Sequence, residues 1–281
     1  MGMKHKRALV ISRILIHISI GFSAILAFIP LWYVLNNAFK NKEYIIRNPL
    51  ILLPEYFTFD NIIRAFKVMH YAESLINNLI ILASTCSLLI FFGSAAGYSI
   101  TVSGSKLLEK YYTLVVMVIT IPFQIAMVPL VSMMNKMGLM NTYLGVSLVF
   151  SAFSLPFVIF LYTGYTRSLP KELAEAATID GCGLFGAYIH IYMPLLKTVT
   201  GTVLILRGVF VWNDLLIPIV TISKSAMTPL SLRLYSFASV RLTSWDLVFG
   251  GTLLVSLPIT IIFIFLQGMF IKGIVAGSVK G

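Results

Sequence analysis

"YLGVSLVFSAFSLPFVIFLYTGY", Tyr143–Tyr165, contains no charged side chain. A hydrocarbon core about 30 Å thick takes about 20 helical residues to cross, and this stretch is long enough. In lipid the backbone amides must be paired within the segment, so it reads as a membrane-crossing helix. Pro156 lies inside it, where a soluble helix would break but a membrane bundle tolerates a kink.

Outward from this stretch the pattern recurs. Residues 14–35, 75–102, 113–134, 198–220 and 247–271 are also apolar, interrupted only by His17, Arg207 and Asp214. The expectation is an all-α integral membrane protein with six transmembrane helices in one domain spanning 1–281. Pro30, Pro122, Pro129, Pro218 and Pro258 fall within these spans and mark further kinks. The chain is 58% hydrophobic and 11% charged. Soluble domains carry about 25% charged residues, which excludes that class.

Lys4, Lys6, Arg7 and Arg13 precede the first span. That span is too long for a signal peptide and no small-residue cleavage site follows, so it reads as a retained anchor with a cytoplasmic N-terminus. Six crossings return the C-terminus to the same side. Lys and Arg otherwise divide almost evenly between the two sides, so the N-terminal cluster carries the assignment. The net charge of +11 fits contact with lipid headgroups, because no basic stripe is interleaved with aromatics as nucleic-acid binding would require.

Between the spans, the stretch from Asn36 to Glu73 is the longest outer loop. Its "FTFDNIIRAF" reads as a turn and a short helix capped at Asp60. Gly138 reads as a helix stop. Cys86 and Cys182 fall in unlike settings and imply no disulfide.

Enzymatic chemistry finds no footing. His5, His17, His70 and His190 lack metal-ligand spacing, and no nucleophile elbow or phosphate-cradling glycine loop occurs. The chain is expected to be a non-enzyme without metal or bound cofactor.

The polar interruption is residues 166–197, with "RSLPKELAEAATIDGCGLFGAYIHIYMP" at its centre. Pro170 suits a first helical turn, and Glu172 complements the positive end of the helix that follows. Ala174, Ala176 and Ala177 keep that helix slim, and Asp180-Gly181 supplies a turn. A slim acidic helix fits a groove of another protein lined by basic groups. The alternative, an interfacial helix on headgroups, would favour Lys and Arg over Glu.

This loop resembles the signature of permease subunits in bacterial ATP-binding-cassette importers: Glu175-Ala176-Ala177, then Gly181, then Ile191-Tyr192-Met193-Pro194. Met193 stands where the pattern has leucine. "NTYLGVSL", "VWNDLLIP" and "FIKGIVAGSVKG" extend the resemblance to the sugar-uptake branch, and to the type of its second maltose permease subunit.

The resemblance implies an inner-membrane subunit of an ATP-driven sugar importer; its cargo is expected to be an oligosaccharide or, on the strength of Arg207, an anionic sugar. It implies a second permease subunit, two ATPase subunits that bind ATP and Mg, and an external binding protein as partners. It also implies that 166–197 forms a coupling helix seated in the ATPase. Glu172, Glu175, Ala176, Ala177, Asp180 and Gly181 would make the contact, and residues 277–281 would reach toward the ATPase dimer. A secondary carrier or channel, or the same architecture with another cargo, is the alternative.

The substrate path is expected along the fifth span. Arg207 falls near mid-depth, where a charge must face the bundle or a wet cavity. Asp214 lies two turns on, and Trp212 and Asn213 offer the aromatic and amide groups that sugar sites use. A structural polar contact in the bundle is the competing reading. The functional reading is a lining for a substrate with a carboxylate or phosphate.

Overall fold

The computed structural model describes residues 2–51, 54–170, 172–179, 181–238 and 244–278, with backbone alone over 2–11, at 178 and over 269–278. Among the described residues there is no strand, only an isolated bridge between Lys40 and Phe57. The chain forms two compact units, Met1–Met69 with Phe237–Leu254, and His70–Ser236 with Val255–Gly281.

The first unit contains α1 (Gly2–Ala38), α2 (Lys42–Arg47) and α3 (Asp60–Val68). From Ser12 to Ala38, α1 has a mean hydropathy of 2.3 over its most apolar window, and that window is not buried within the chain. Its end is tied down by a knot of asparagines. The Asn36 amide donates to Pro49 O (2.9 Å), and that of Asn37 to Tyr33 O (2.8 Å) and Pro49 O (3.1 Å). Asn61 donates to Lys40 O at 2.7 Å, and Lys40 Nζ donates to Asn48 O at 2.6 Å. Buried backbone carbonyls outside a helix need such donors, which is why amide side chains collect here. Asp60 is not the cap the sequence led us to expect. It is the first helical residue, and its own N–H donates to Thr58 Oγ1 at 3.1 Å.

The second unit is built on α4 (Tyr71–Val102) and α7 (Tyr143–Thr166). Tyr143 Oη donates to Asn77 Oδ1 (2.6 Å), Ser84 and Ser147 share a 2.6 Å hydrogen bond, and Gly97 meets Tyr162. Positions rise together along both helices, so α4 and α7 run parallel. A Cβ at Gly97 would sit 2.6 Å from Tyr162 Cβ and 2.9 Å from Thr163 N, so only glycine permits this approach. Small residues at such crossings are how membrane helices pack without a hydrophobic drive.

Two parallel helices require the chain to travel back between them. It does so through α5 (Lys106–Val118) and α6 (Phe123–Lys136), bent by 102° at the intervening break. The expected continuous span over 113–134 is therefore interrupted. Pro122, without an amide hydrogen, stands where a continuing helix would need one. Gly138, at φ +67°, ends α6 as expected.

After α7 come α8 (Glu172–Ile179), α9 (Leu184–Ala187), a π-helical stretch Tyr188–Tyr192, α10 (Met193–Leu195) and α11 (Lys197–Asn213). Val199 and Val203 pack with Leu89 and Val158, whereas Val211 packs with Ile81 and Val149. Thus α11 runs opposite to α4 and α7. The expected span 198–220 stops at Asn213. Asp214 adopts an extended conformation, and its Oδ1 accepts from Ile217 N (2.9 Å) to open α12 (Leu216–Thr221). α13 (Leu230–Ser236) follows, and α14 (Trp245–Ser278) contributes its later turns to this unit. Trp212 Nε1 donates to Val255 O at 3.2 Å. Nearer the start of α11, Leu204 and Gly208 line an apolar cavity of about 300 Å³ with Ile259 and Phe263. So α14 is antiparallel to α11.

Among the described residues, four helices are long and apolar enough to cross a membrane. The bent pairs, α5 with α6 and 184–195 with α11 (69°), raise the number to six if each counts as one span.

Candidate functional site

The acidic loop carries a short helix. Glu172 and Glu175 lie in the first turn of α8, where the positive helix end favours them. The helix is closed by Gly181, at φ +73°, with Cys182 N donating to Ala177 O at 2.8 Å. That bond spans five residues, the signature of a Schellman stop, and its left-handed position suits glycine. Asp180 lies outside the described residues. Ala177 is buried, whereas Glu172, Glu175 and Ala176 are exposed, and neither acid has an ion-pair partner among the described residues. Glu175 also borders a groove of about 210 Å³ shared with Tyr98, Ala177 and Cys182.

The loop stands on tyrosines. Tyr98 Oη donates to Leu184 O at 2.9 Å, and Tyr188 Oη shares a hydrogen bond of 2.7 Å with Ser94. The Tyr98 ring lies 5.3 Å from Tyr188 and 4.8 Å from Tyr192. At its entry Arg167 Nη2 reaches both Glu109 oxygens at 2.7 Å and covers the Tyr112 ring. The loop is thus fastened directly to α4 and to α5.

Beside the acids stands an apolar group that the sequence reading missed. Ile179, Leu184 and Phe185 are 85%, 68% and 73% exposed, on either side of the turn. The available signal was large apolar residues flanking Asp-Gly in an otherwise polar loop. Large apolar side chains exposed on both sides of a polar turn make this a candidate contact surface.

The four expected path residues do not share one setting. Trp212 is fully buried and bonded to Val255 O, so it is a core residue in this structure. Asp214 caps α12, and its backbone O accepts from Ser231 Oγ at 2.9 Å. Asn213 is exposed, with its amide donating to Val209 O at 3.0 Å. Arg207 stands apart. Its guanidinium carbon lies 4.1 Å from the Phe157 ring centre and 5.6 Å from that of Phe210, and its buried Nε has no hydrogen-bond partner. Among the described residues no group of three or more His, Cys, Asp or Glu could hold a metal.

Residues 89–275 match the family of binding-protein-dependent transport system inner membrane components. The chain belongs to this family. The permease is therefore a multi-pass membrane protein and a transport subunit, not an enzyme. It is 34% identical to the melibiose/raffinose/stachyose import permease protein MelC of Bacillus subtilis (strain 168), over 90% of this chain and 92% of that one. It is 32% identical to the arabinooligosaccharides transport system permease protein AraQ of Halalkalibacterium halodurans, over 99% of this chain and all of the relative. A crystal structure of a bacterial ABC transporter involved in the import of the acidic polysaccharide alginate has the same fold, at a TM-score of 0.78 and 18% identity, covering 94% of this chain and 98% of that one.

Proposed function

We propose that this permease, acting as one domain over 1–281, forms one half of the translocation path of an ATP-driven carbohydrate importer. The relatives named for melibiose, raffinose, stachyose and arabino-oligosaccharides favour sugar as the cargo. Its partners are a second permease subunit, two ATPase subunits that hold ATP and Mg, and an external binding protein.

The observation that carries this reading is the loop: Glu172 and Glu175, without an ion-pair partner among the described residues, and three exposed apolar side chains on either side of the Gly181 turn, fastened to α4 by Tyr98. Glu172 and Glu175 pair with basic side chains of an ATPase cleft, and Ile179, Leu184 and Phe185 enter its apolar part. Closure of the ATPase pair displaces the lever, and Tyr98 passes the displacement to α4 and the α7 packed on it. The path then switches from outward- to inward-facing.

Six crossings, with each bent pair counted as one, put both termini in the cytoplasm. The parallel course of α4, α7 and α14 against α11 fits that count. The C-terminal end then lies on the ATPase side.

Reversing the charge at Glu175 tests the coupling. In proteoliposomes holding the whole assembly, Glu175→Lys should leave the subunit inserted and abolish ATP-dependent uptake of whichever oligosaccharide, neutral or acidic, the unaltered assembly accumulates, with hydrolysis no longer tied to transport. Uptake that proceeds without ATP in the unaltered assembly would instead identify a secondary carrier.

A further inference from the structure

We infer that Arg207 is the anion-recognition residue of the translocation path, and that the carbohydrate passing it bears a carboxylate or phosphate. This rests on the importer reading above and names its substrate class.

Arg207 lies about 15 Å along α11 from Lys197, in a bilayer whose core is about 30 Å thick. Headgroup phosphates are far from that depth. An arginine does not escape the cost of burial by losing its proton, so the charge needs a partner. The described residues provide none: among them Arg207 has no ion pair and no hydrogen bond, and its Nε is buried without an acceptor. Asp214, the nearest acid along α11, spends Oδ1 on the amide of Ile217.

What Arg207 does have is two ring faces. Its guanidinium lies over Phe157 and beside Phe210, which is 39% exposed, and Phe150 meets Phe210 edge-on at 6.2 Å. Cation–π contact offsets part of the desolvation and fixes the plane of the fork. A fixed guanidinium presents paired donors that match a carboxylate or phosphate. The exposed Phe210 ring offers an apolar plate to the C–H face of a sugar. Neutral hydroxyls are served by amides and carboxylates and have no need of a permanent cation at mid-depth. An acidic sugar uses both parts at once.

The test uses the unaltered permease in its purified assembly with the second permease and the ATPases, in phosphatidylcholine nanodiscs. Phenylglyoxal modifies accessible guanidinium groups, and mass spectrometry follows the Arg207 peptide. Galacturonate, glucuronate or glucose 6-phosphate should slow modification at Arg207 severalfold. Galactose, glucose and chloride at matched ionic strength should leave the rate unchanged. Equal protection by neutral sugars or chloride, or protection by none of the probes, overturns the proposal. An Arg207 that is unreactive from the outset is paired with a carboxylate of a partner subunit, which overturns it too. Loss of reactivity only in phosphatidylglycerol discs assigns the site to lipid phosphate, with the same consequence. ATP hydrolysis by the same discs reads the importer proposal separately, so either idea can fail without the other.

Discussion

Lys40 is fully buried, and among the described residues it reaches two oxygens, Asn48 O at 2.6 Å and Asn37 Oδ1 at 3.4 Å, with no ion-pair carboxylate. Burial pushes its ammonium below the usual lysine value. The folded protein therefore binds fewer protons than the unfolded chain between the lowered value and the usual one. Stability should rise with pH across that window, with the full cost of the buried charge present below it. Thermal unfolding in detergent, followed as pH is raised toward the usual lysine value of about 10.4, should show the rise in the native protein and a flatter profile in Lys40→Met. Parallel profiles would contradict the assignment. Asp214 offers a second residue-scale test. If its carboxylate serves as a cap, Asp214→Asn keeps an accepting oxygen for Ile217 N and should be nearly neutral. Asp214→Ala should cost about 1 kcal/mol, read by denaturant unfolding. A transport defect in a fully stable Asp214→Asn would return the residue to the substrate path.

At the scale of elements, the close approach of α4 and α7 depends on missing side chains. Gly97→Val should destabilise the permease by about 3 kcal/mol, because backbone at Thr163 cannot yield as a flexible side chain would. A shift in unfolding midpoint below a third of that size would mean the helices part more readily than the contacts imply. Much of this level was legible in the sequence. Apolar runs free of charge located α4, α7 and α14, since hydropathy over about 20 residues is a direct consequence of membrane thickness. Gly138 and Gly181 announced their turns for the same local reason, a positive φ. Pro122 announced a kink, but hydropathy hid the extent of the breaks. Nothing in the hydropathy of 113–134 or 198–220 separates a straight helix from one interrupted at Pro122 or capped anew by Asp214. The Asn36–Asn37–Asn61 knot and the Tyr98 platform were equally hidden, because each joins residues far apart in the chain. Trp212 misled for a related reason: residue type suits a sugar site, and only packing reveals that its indole is enclosed.

For the whole molecule, the direction of each helix makes a prediction about sidedness. The parallel course of α4, α7 and α14 requires an odd number of crossings between successive members of that set. Reporter domains fused after residue 281 and before residue 2 should both fold in the cytoplasm. One terminus outside would require a different count for the bent pairs. The native cysteine of the acidic loop, Cys182, is exposed beside Gly181 and the Leu184–Phe185 pair, while Cys86 is buried and serves as an internal reference. Maleimide labelling of Cys182 in membranes, with and without the ATPase subunits co-expressed, reads the lever directly. Strong protection of Cys182 by the ATPase, with Cys86 unreactive throughout, is the predicted result. Equal labelling of Cys182 in the complete, transport-competent assembly would contradict it.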